Sequence, residues 1–229
     1  MGAREDGWLA QRFGYPVFTV DGSATADDLA GAGPRFYQAR VPVEDVEAVC
    51  RLSALGFAVV DTTLTLGRPP EPGDAPTEVV RSAPEQRDAV VEIARTAFRY
   101  SRFHLDPGVP DELANRIKAD WIASYFDGTR GEHLLVALAD GEPAGFLAVI
   151  AGEEEGRSLR TIDLIAVAEH ARGRGLAREL TAAFVAGSVD ACDEVRVGTQ
   201  AANVPATRLY ESLGFSLVRA QYALHLHLA

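Results

Sequence analysis

The stretch that decides the fold is LIAVAEHARGRGLARELTAAF, which runs from Leu164 to Phe184. Its apolar start is typical of a strand, and the apolar spacing from Gly175 to Val189 predicts a helix. A turn with two glycines lies between them. The first N–H groups of a helix have no partner within the helix, and the helix dipole places partial positive charge there. This turn therefore predicts a site for an anion.

Two glycines and three arginines make the turn suited to a pyrophosphate. Gly173 and Gly175 let the backbone approach an anion closely. Arg172, Arg174 and Arg178 add side-chain charge at the same end of the helix. The turn is not a dinucleotide fingerprint, because the third glycine is missing, and it is not a P-loop, because no Gly-Lys-Ser/Thr follows. A surface turn before an amphipathic helix is the alternative interpretation.

A second stretch, NVPATRLYESLGF, runs from Asn203 to Phe215 and predicts a helix that ends at Gly214. Asn203 and Tyr210 are seven residues apart, so they can share one face of a helix that reaches Asn203. This stretch, together with LIAV at 164–167 and the turn at 172–177, resembles the C-terminal and central motifs of the GCN5-related N-acetyltransferase (GNAT) superfamily. The resemblance covers about residues 78–229.

The resemblance implies an α/β chain with the GNAT fold, a mixed twisted central sheet flanked by helices, and acetyl-CoA as co-substrate. It implies that Tyr210 protonates the thiolate that an attacking amine expels, for which a phenol is a suitable donor. The cofactor contacts that it implies are the backbone of Ile165, Ala166 and Val167, the turn residues Arg172, Gly173, Arg174, Gly175, Leu176 and Ala177, and Asn203. The alternatives are core strand for Ile165 and Val167, a helix cap for Asn203 and packing for Tyr210.

The stretch from Phe98 to His104, FRYSRFH, is dense in aromatic and cationic groups. In the superfamily this region borders the acceptor pocket. Tyr100, Arg102, Phe103 and His104 are therefore predicted to meet an acceptor that carries a ring and a phosphate. A loop packed over the sheet with solvated arginines is the alternative.

The layout of the whole chain bears on the acceptor. RVPVEDVEAVCRLSALGFAVVDTTLTL at 40–66 and SRFHLDP at 101–107 resemble the dTDP-fucosamine acetyltransferases, which acetylate the 4-amino group of a deoxyamino sugar attached to dTDP. The resemblance implies a sugar nucleotide as the amine acceptor. Arg99, Arg102, Arg116 and Lys118 are candidates to neutralise its phosphates.

Two other functions stay open. One is a transferase for a protein N-terminus, a lysine or an aminoglycoside, and the other is a non-catalytic module that binds acyl-CoA. Tyr210 argues against the module, because binding alone needs no acid there. The sequence does not identify the general base: Asp163 and His104 are candidates, and a salt-bridged Asp163 is the alternative.

Composition limits the partners and the location. The 229 residues carry a net charge of −11, which argues against nucleic acid and anionic membranes as partners. No apolar run approaches the roughly 20 residues that span a bilayer, and the first residues lack a secretory signal, so we expect a cytoplasmic protein. His225 and His227 share a strand face without a visible third ligand, so no metal site is expected. A homodimer stays open.

Proline and glycine mark one break in the chain. The segment GRPPEPGDAP at 67–76 predicts a linker over 67–77, because it can sustain neither a helix nor a central strand. We therefore predict a smaller N-terminal α/β domain at 1–66 and a transferase domain at 78–229. In the latter, the helix at 175–189 and the helix that ends at Gly214 each join two strands, and both of these strand pairs are predicted to pair in parallel.

Overall fold

One mixed sheet contains every strand of the described residues, which are 2–73, 76 and 78–229 of this computed structural model. The strands follow one another across the sheet in the order β1-β2-β3-β10-β4-β9-β8-β7-β6-β5. Their bounds are β1 Arg4–Glu5, β2 Val17–Val20, β3 Arg35–Pro42, β4 Ala58–Arg68, β5 Val79–Arg81, β6 His133–Ala139, β7 Glu142–Glu154, β8 Arg157–Val167, β9 Glu194–Gln200 and β10 Ser216–Leu228.

Helices cover both faces of this sheet. They are α1 Gly7–Phe13, α2 Val46–Ala54, α3 Arg87–Ala97, α4 Asp111–Phe126, α5 Leu176–Ala186 and α6 Val204–Ser212. Alternation along β7 separates the two faces. Phe146 and Ala148 pack in the cluster that contains α3 and α4, whereas Leu147 and Val149 pack with α5. The predicted α/β class, a mixed sheet flanked by helices, is confirmed.

The N-terminal segment is part of the same sheet. Strand β10 lies between β3 and β4, and β4 lies between β10 and β9. Gly67 and Arg68, expected in the linker, are the last two residues of β4. Of the other expected linker residues, Asp74, Ala75 and Thr77 lie outside the described residues. The division into two domains stays a prediction, and what the structure adds is a sheet that runs through both segments.

The two helix-joined strand pairs differ from one another. Strands β8 and β9, joined through α5, pair in parallel as predicted. Strands β9 and β10, joined through α6, do not pair, because β4 lies between them and is antiparallel to both. The prediction of parallel pairing was wrong for this second pair, since a strand from the N-terminal segment enters the gap. Helix α1, with Asp6 as its N-cap, was not predicted.

Candidate active site

Strand β8 separates from β9 halfway along its length. Their ladder joins Leu159–Ile162 to Glu194–Val197 and ends there, although β8 continues to Val167 and β9 to Gln200. Within the described residues, the two continuing segments pair only with their outer neighbours, β7 and β4. Both segments line one cavity of about 980 Å³. Their facing edges therefore offer unpaired backbone N–H and C=O groups to a ligand.

The glycine turn joins this cavity at the end of β8. Gly173 has φ of +77° and Gly175 has φ of +87°, conformations that glycine adopts without strain. No side chain of the described residues caps α5, so its first amides stay free. A second cavity of about 240 Å³ lies at the turn and shares Arg172, Gly173 and Ala177 with the first. Leu176 also lines this second cavity, although it is buried and belongs to the core.

The arginines of the turn have partners of their own. The guanidinium of Arg172 donates to the carbonyl of Ala97 at 3.2 Å. Arg174 forms an exposed ion pair with Asp140, also at 3.2 Å. Because exposed pairs of this kind are weak, Arg174 can exchange Asp140 for a phosphate at little cost. Arg178 donates to Ser212.

Helix α6 brings Asn203 and Tyr210 to the large cavity. Asn203 is the N-cap, and its side chain accepts from the amide of Ala206 at 3.4 Å, which is a long hydrogen bond. The capping interpretation therefore describes part of what Asn203 does. A contact between Asn203 and a ligand stays a prediction.

Tyr210 is 2% exposed, and its ring meets Phe215 edge-on with centroids 5.9 Å apart. No hydrogen bond to its hydroxyl is found among the described residues, although the residue lines the cavity. Burial raises the pKa of Tyr210 above its usual value. The hydroxyl is therefore protonated at neutral pH and is able to donate.

The predicted acceptor residues divide into two groups. Tyr100 and Arg102 line the cavity, and Tyr100 is exposed. Phe103 lines it too, but it is 1% exposed and belongs to the core beside Phe13. His104 does not line the cavity: its Nδ1 lies 2.6 Å from the Ser101 hydroxyl and its Nε2 lies 3.0 Å from Asn115 Oδ1. A contact between His104 and the acceptor stays a prediction, which these two partners of the imidazole do not support.

Four charged residues stand out where the acceptor would bind: Arg40 on β3, Asp61 on β4, Arg102 after α3 and Lys118 on α4. Burial, and then repulsion from Arg40, lowers the pKa of Arg102 to about 9. Burial raises the pKa of Asp61, although hydrogen bonds from Thr63 and Gln200 oppose that effect. No ion pair between a carboxylate and Arg40, Arg102 or Lys118 is found within the described part of the chain. Arg116, in contrast, points away and donates to the carbonyl of Arg12.

Asp163 is fully engaged and is a poor candidate for the general base. Its carboxylate accepts from the Trp121 indole at 2.8 Å, from the Tyr125 hydroxyl at 2.7 Å and twice from Arg130, at 2.8 and 3.0 Å. Burial alone would raise the pKa of Asp163, but the contacts with Arg130 dominate and lower it. This geometry supports the salt-bridged alternative.

The two C-terminal histidines have a carboxylate partner that sequence analysis did not find. Asp106 Oδ2 lies 2.6 Å from His225 Nδ1 and 2.8 Å from His227 Nε2. The three groups are close enough to hold a metal ion, yet each already makes a hydrogen bond within the cluster. The absence of a metal site stays a prediction. The contacts fasten the loop after α3 to β10.

Sequence analysis missed Arg40, Asp61 and Asp106. For two of them a signal existed, because Arg40 and Asp61 are charged residues inside otherwise apolar strand segments, FYQARV and VVDTTLTL. A charge at such a place needs a partner or a function. Asp106 carries no local signal, since its partners follow more than a hundred residues later.

Comparisons with known proteins agree with this geometry. The model of the acetyltransferase (GNAT) family matches residues 88–215. The spore coat polysaccharide biosynthesis protein SpsD of Bacillus subtilis is 31% identical over 196 residues, which are 83% of this chain and 66% of that protein. Mycothiol acetyltransferase of Tsukamurella paurometabola is 31% identical over 210 residues, which are 84% of this chain and 68% of that protein. The chain thus spans about two thirds of the length of these relatives.

A solved structure agrees on the fold. A GCN5-related N-acetyltransferase from Sphaerobacter thermophilus superposes with a TM-score of 0.55 at 19% identity, covering 88% of this chain and 63% of that one. No helix of the described residues is long and apolar enough to cross a membrane. The superfamily and the acetyltransferase class predicted from the sequence are confirmed. The chain belongs to the acetyltransferase (GNAT) family.

Proposed function

We propose that this chain is an acetyl-CoA-dependent N-acetyltransferase that moves an acetyl group to a primary amine. The observation that carries the proposal is the separation of β8 from β9. It leaves two free backbone edges in a cavity that the glycine turn and Tyr210 also reach. Free peptide groups match the amides of pantetheine, and the uncapped start of α5 matches a pyrophosphate.

In the proposed reaction the amine attacks the thioester carbonyl directly. The carbon–nitrogen bond forms, the carbon–sulfur bond breaks, and Tyr210 donates its proton to the departing sulfur. Its raised pKa keeps that proton in place until the thiolate develops. The attacking nitrogen carries a positive charge once its bond to carbon has formed, and it becomes the amide nitrogen by passing one proton to Tyr210, which ends the cycle as it began.

For the acceptor we propose the amino group of a sugar, with a dTDP-linked 4-amino sugar as the first candidate. Two observations support a sugar nucleotide. The Bacillus relative is named for polysaccharide biosynthesis. Arg40 and Arg102 line the cavity without a carboxylate partner among the described residues, and guanidinium groups match phosphate oxygens in pairs.

The charge of the cavity weighs against a cationic acceptor such as a lysine or an aminoglycoside. Seven of its lining residues are arginine or lysine and four are aspartate or glutamate, in a chain whose net charge is −11. A cavity with this excess favours anions. Tyr210 weighs against a module that only binds acyl-CoA.

A titration and an amine panel test the proposal. The titration measures acetyl-CoA binding by fluorescence. The panel measures thiol release with a dTDP-linked amino sugar, glucosamine, an aminoglycoside and a lysine peptide. We expect saturable binding and fastest release with the sugar nucleotide. Absence of acetyl-CoA binding would overturn the function, and faster release with the aminoglycoside or the peptide would overturn the acceptor. Sedimentation analysis would test the homodimer.

A further inference from the structure

The chain contains 21 arginines and a single lysine, Lys118. That lysine is 7% exposed and lines the acceptor part of the cavity. Its ammonium nitrogen lies 5.0 Å from the ring centroids of both Phe98 and Trp121. No carboxylate pairs with it in the part of the chain that the structure describes. A buried lysine without a counter-charge is costly to keep protonated.

The surroundings of Lys118 point to the reacting centre. Trp121, which contacts Lys118, donates its indole N–H to Asp163 at 2.8 Å. Asp163 begins the segment of β8 that has separated from β9. The Trp121 side chain thus connects Lys118 to Asp163, which lies at the strand edge where the proposed function places the thioester.

The two candidates for the base that the sequence suggested are occupied or distant. Asp163 is held by Arg130, Trp121 and Tyr125, and His104 does not line the cavity. An arginine cannot take the role, since its guanidinium stays protonated in proteins. A lysine can act as a proton acceptor, provided that its environment favours the neutral amine.

From this geometry we infer that Lys118 is the proton acceptor for the amine substrate, an inference that rests on the proposed function. The neutral amine of Lys118 takes one proton from the substrate ammonium. The freed lone pair attacks the thioester carbonyl, and Tyr210 protonates the sulfur as its bond to carbon breaks. The second nitrogen proton passes to Tyr210, and Lys118 releases its proton to solvent through the open cavity.

The charges around Lys118 are consistent with this role. Burial, and then the positive charge of Arg102, lowers the pKa of Lys118 to about 7. Arg40 on β3 and Arg130 after α4 act in the same direction, and Asp163 on β8 opposes them. This lowering of the pKa favours the neutral amine that a proton acceptor needs.

The first test needs no acceptor. Because the chain has one lysine, labelling with 13C at lysine Cε produces a single side-chain resonance whose shift reports the ionisation of Lys118. We expect a midpoint near 7 in the wild-type protein. A midpoint above about 8.5, closer to that of a free lysine, would overturn the inference while leaving the proposed function untouched.

The second test measures kcat/KM against pH for the amine that the panel selects. Lys118→Met and Lys118→Arg should both lose roughly 10²-fold at pH 7, because neither side chain can take the proton. The loss should shrink toward pH 9.5, where the substrate amine deprotonates by itself. Arg116→Met, two residues away on the same helix and directed at Arg12, is the control and should retain wild-type rates.

Two results of this test would reject Lys118 as the proton acceptor. One is a Lys118→Arg variant within threefold of wild type, since it would mean that only the positive charge matters. The other is a deficit of the same size at every pH, which would indicate a positioning or packing role. A wild-type protein that binds acetyl-CoA but acetylates no amine would instead overturn the proposed function, and this inference with it.

Discussion

The two halves of the large cavity are built from different parts of the chain. The half proposed to bind acetyl-CoA, the cofactor half, consists of the glycine turn at 172–177 and the separated ends of β8 and β9, whose unpaired backbone groups face the cavity. The half proposed to bind the amine, the acceptor half, consists of side chains from β3, β4, α4 and the loop after α3, among them Arg40, Asp61, Arg102 and Lys118. Ligand binding in the cofactor half should therefore depend mainly on backbone conformation, and ligand binding in the acceptor half should depend mainly on which side chains are present.

The two halves also differ in the free energy that the folded protein loses by leaving their polar groups without partners. Free peptide groups and an uncapped helix start carry only partial charges, so leaving them open to solvent costs little. The acceptor half gathers three cations, Arg40, Arg102 and Lys118, and burial lowers the pKa of each of them. Repulsion from Arg40 lowers the pKa of Arg102 further, and repulsion from Arg102 does the same for Lys118. None of the three forms an ion pair with a carboxylate among the described residues. Substitutions should therefore disturb binding in the first half and chemistry, acceptor choice or stability in the second.

The largest effect is expected in the cofactor half, from Gly175→Asp. The new carboxylate would stand at the start of α5, where the pyrophosphate is proposed to bind. We expect the Kd for acetyl-CoA, measured by calorimetry, to rise about 10²- to 10³-fold, or roughly 3 to 4 kcal/mol. Gly128→Asp is the matched control, since Gly128 also has positive φ and lies away from the cavity. Equal Kd values for the two variants would contradict a pyrophosphate site at the start of α5.

Tyr210→Phe should separate binding from chemistry. It keeps the buried ring and removes the proton donor, so acetyl-CoA affinity should persist while kcat falls roughly 10²-fold under conditions where chemistry limits the rate. Tyr222→Phe, a partly buried tyrosine on β10, is the control. A near-normal kcat in Tyr210→Phe would return Tyr210 to a packing role.

A smaller effect, on the KM for the amine, is expected from a substitution in the acceptor half. Arg102→Lys keeps the charge but loses the planar pair of donors, so the KM for a dTDP-linked amino sugar should rise about tenfold with acetyl-CoA affinity unchanged. Arg116→Lys serves as the control, because Arg116 points away from the cavity. Free dTDP should inhibit competitively with the amine. If millimolar dTDP neither binds nor inhibits, the sugar-nucleotide acceptor is wrong and the acetyltransferase proposal stands.

The smallest expected effect concerns stability. The pKa of Lys118 is lowered by folding from 10.5 to about 7, so the unfolded chain binds more protons between those values. The free energy of unfolding should therefore rise with pH across that window. Lys118→Met should be more stable than wild type at pH 7, on the order of 1 kcal/mol after allowing for screening in the open cavity, and the difference should vanish near pH 10. Urea unfolding at several pH values measures it, and a pH-independent difference would contradict it.

Sequence reasoning succeeded where the determining residues are adjacent in the chain. Asp-Gly is a typical dipeptide for a hairpin turn, and Asp140-Gly141 joins β6 to β7 with φ values of +56° and +86° that suit such a turn. The strand, turn and helix around Gly175 were predicted for the same reason. Each of these features depends on a few neighbouring residues, so the local pattern contains the information.

Features that depend on distant segments were missed. Nothing near Asp106 indicates that it meets His225 and His227, and nothing near β4 indicates that it separates β9 from β10. The acceptor half was predicted in part, through Tyr100 and Arg102, because those residues are clustered. Arg40 and Asp61 lie far from that cluster in the sequence, and they reach the same cavity only because of the order of the strands in the sheet.

The position of β10 has a consequence for biosynthesis. This strand pairs with β3 on one side and β4 on the other, so two strands made early in translation wait for a partner made much later. Until then, their edges are open to pairing with other chains. Contacts between such remote segments also slow folding, because a long loop must close before they form. The nascent chain should therefore depend on chaperones until β10 has been synthesised, and the acceptor half, which needs β3 and β4 in register, should be among the last parts to mature.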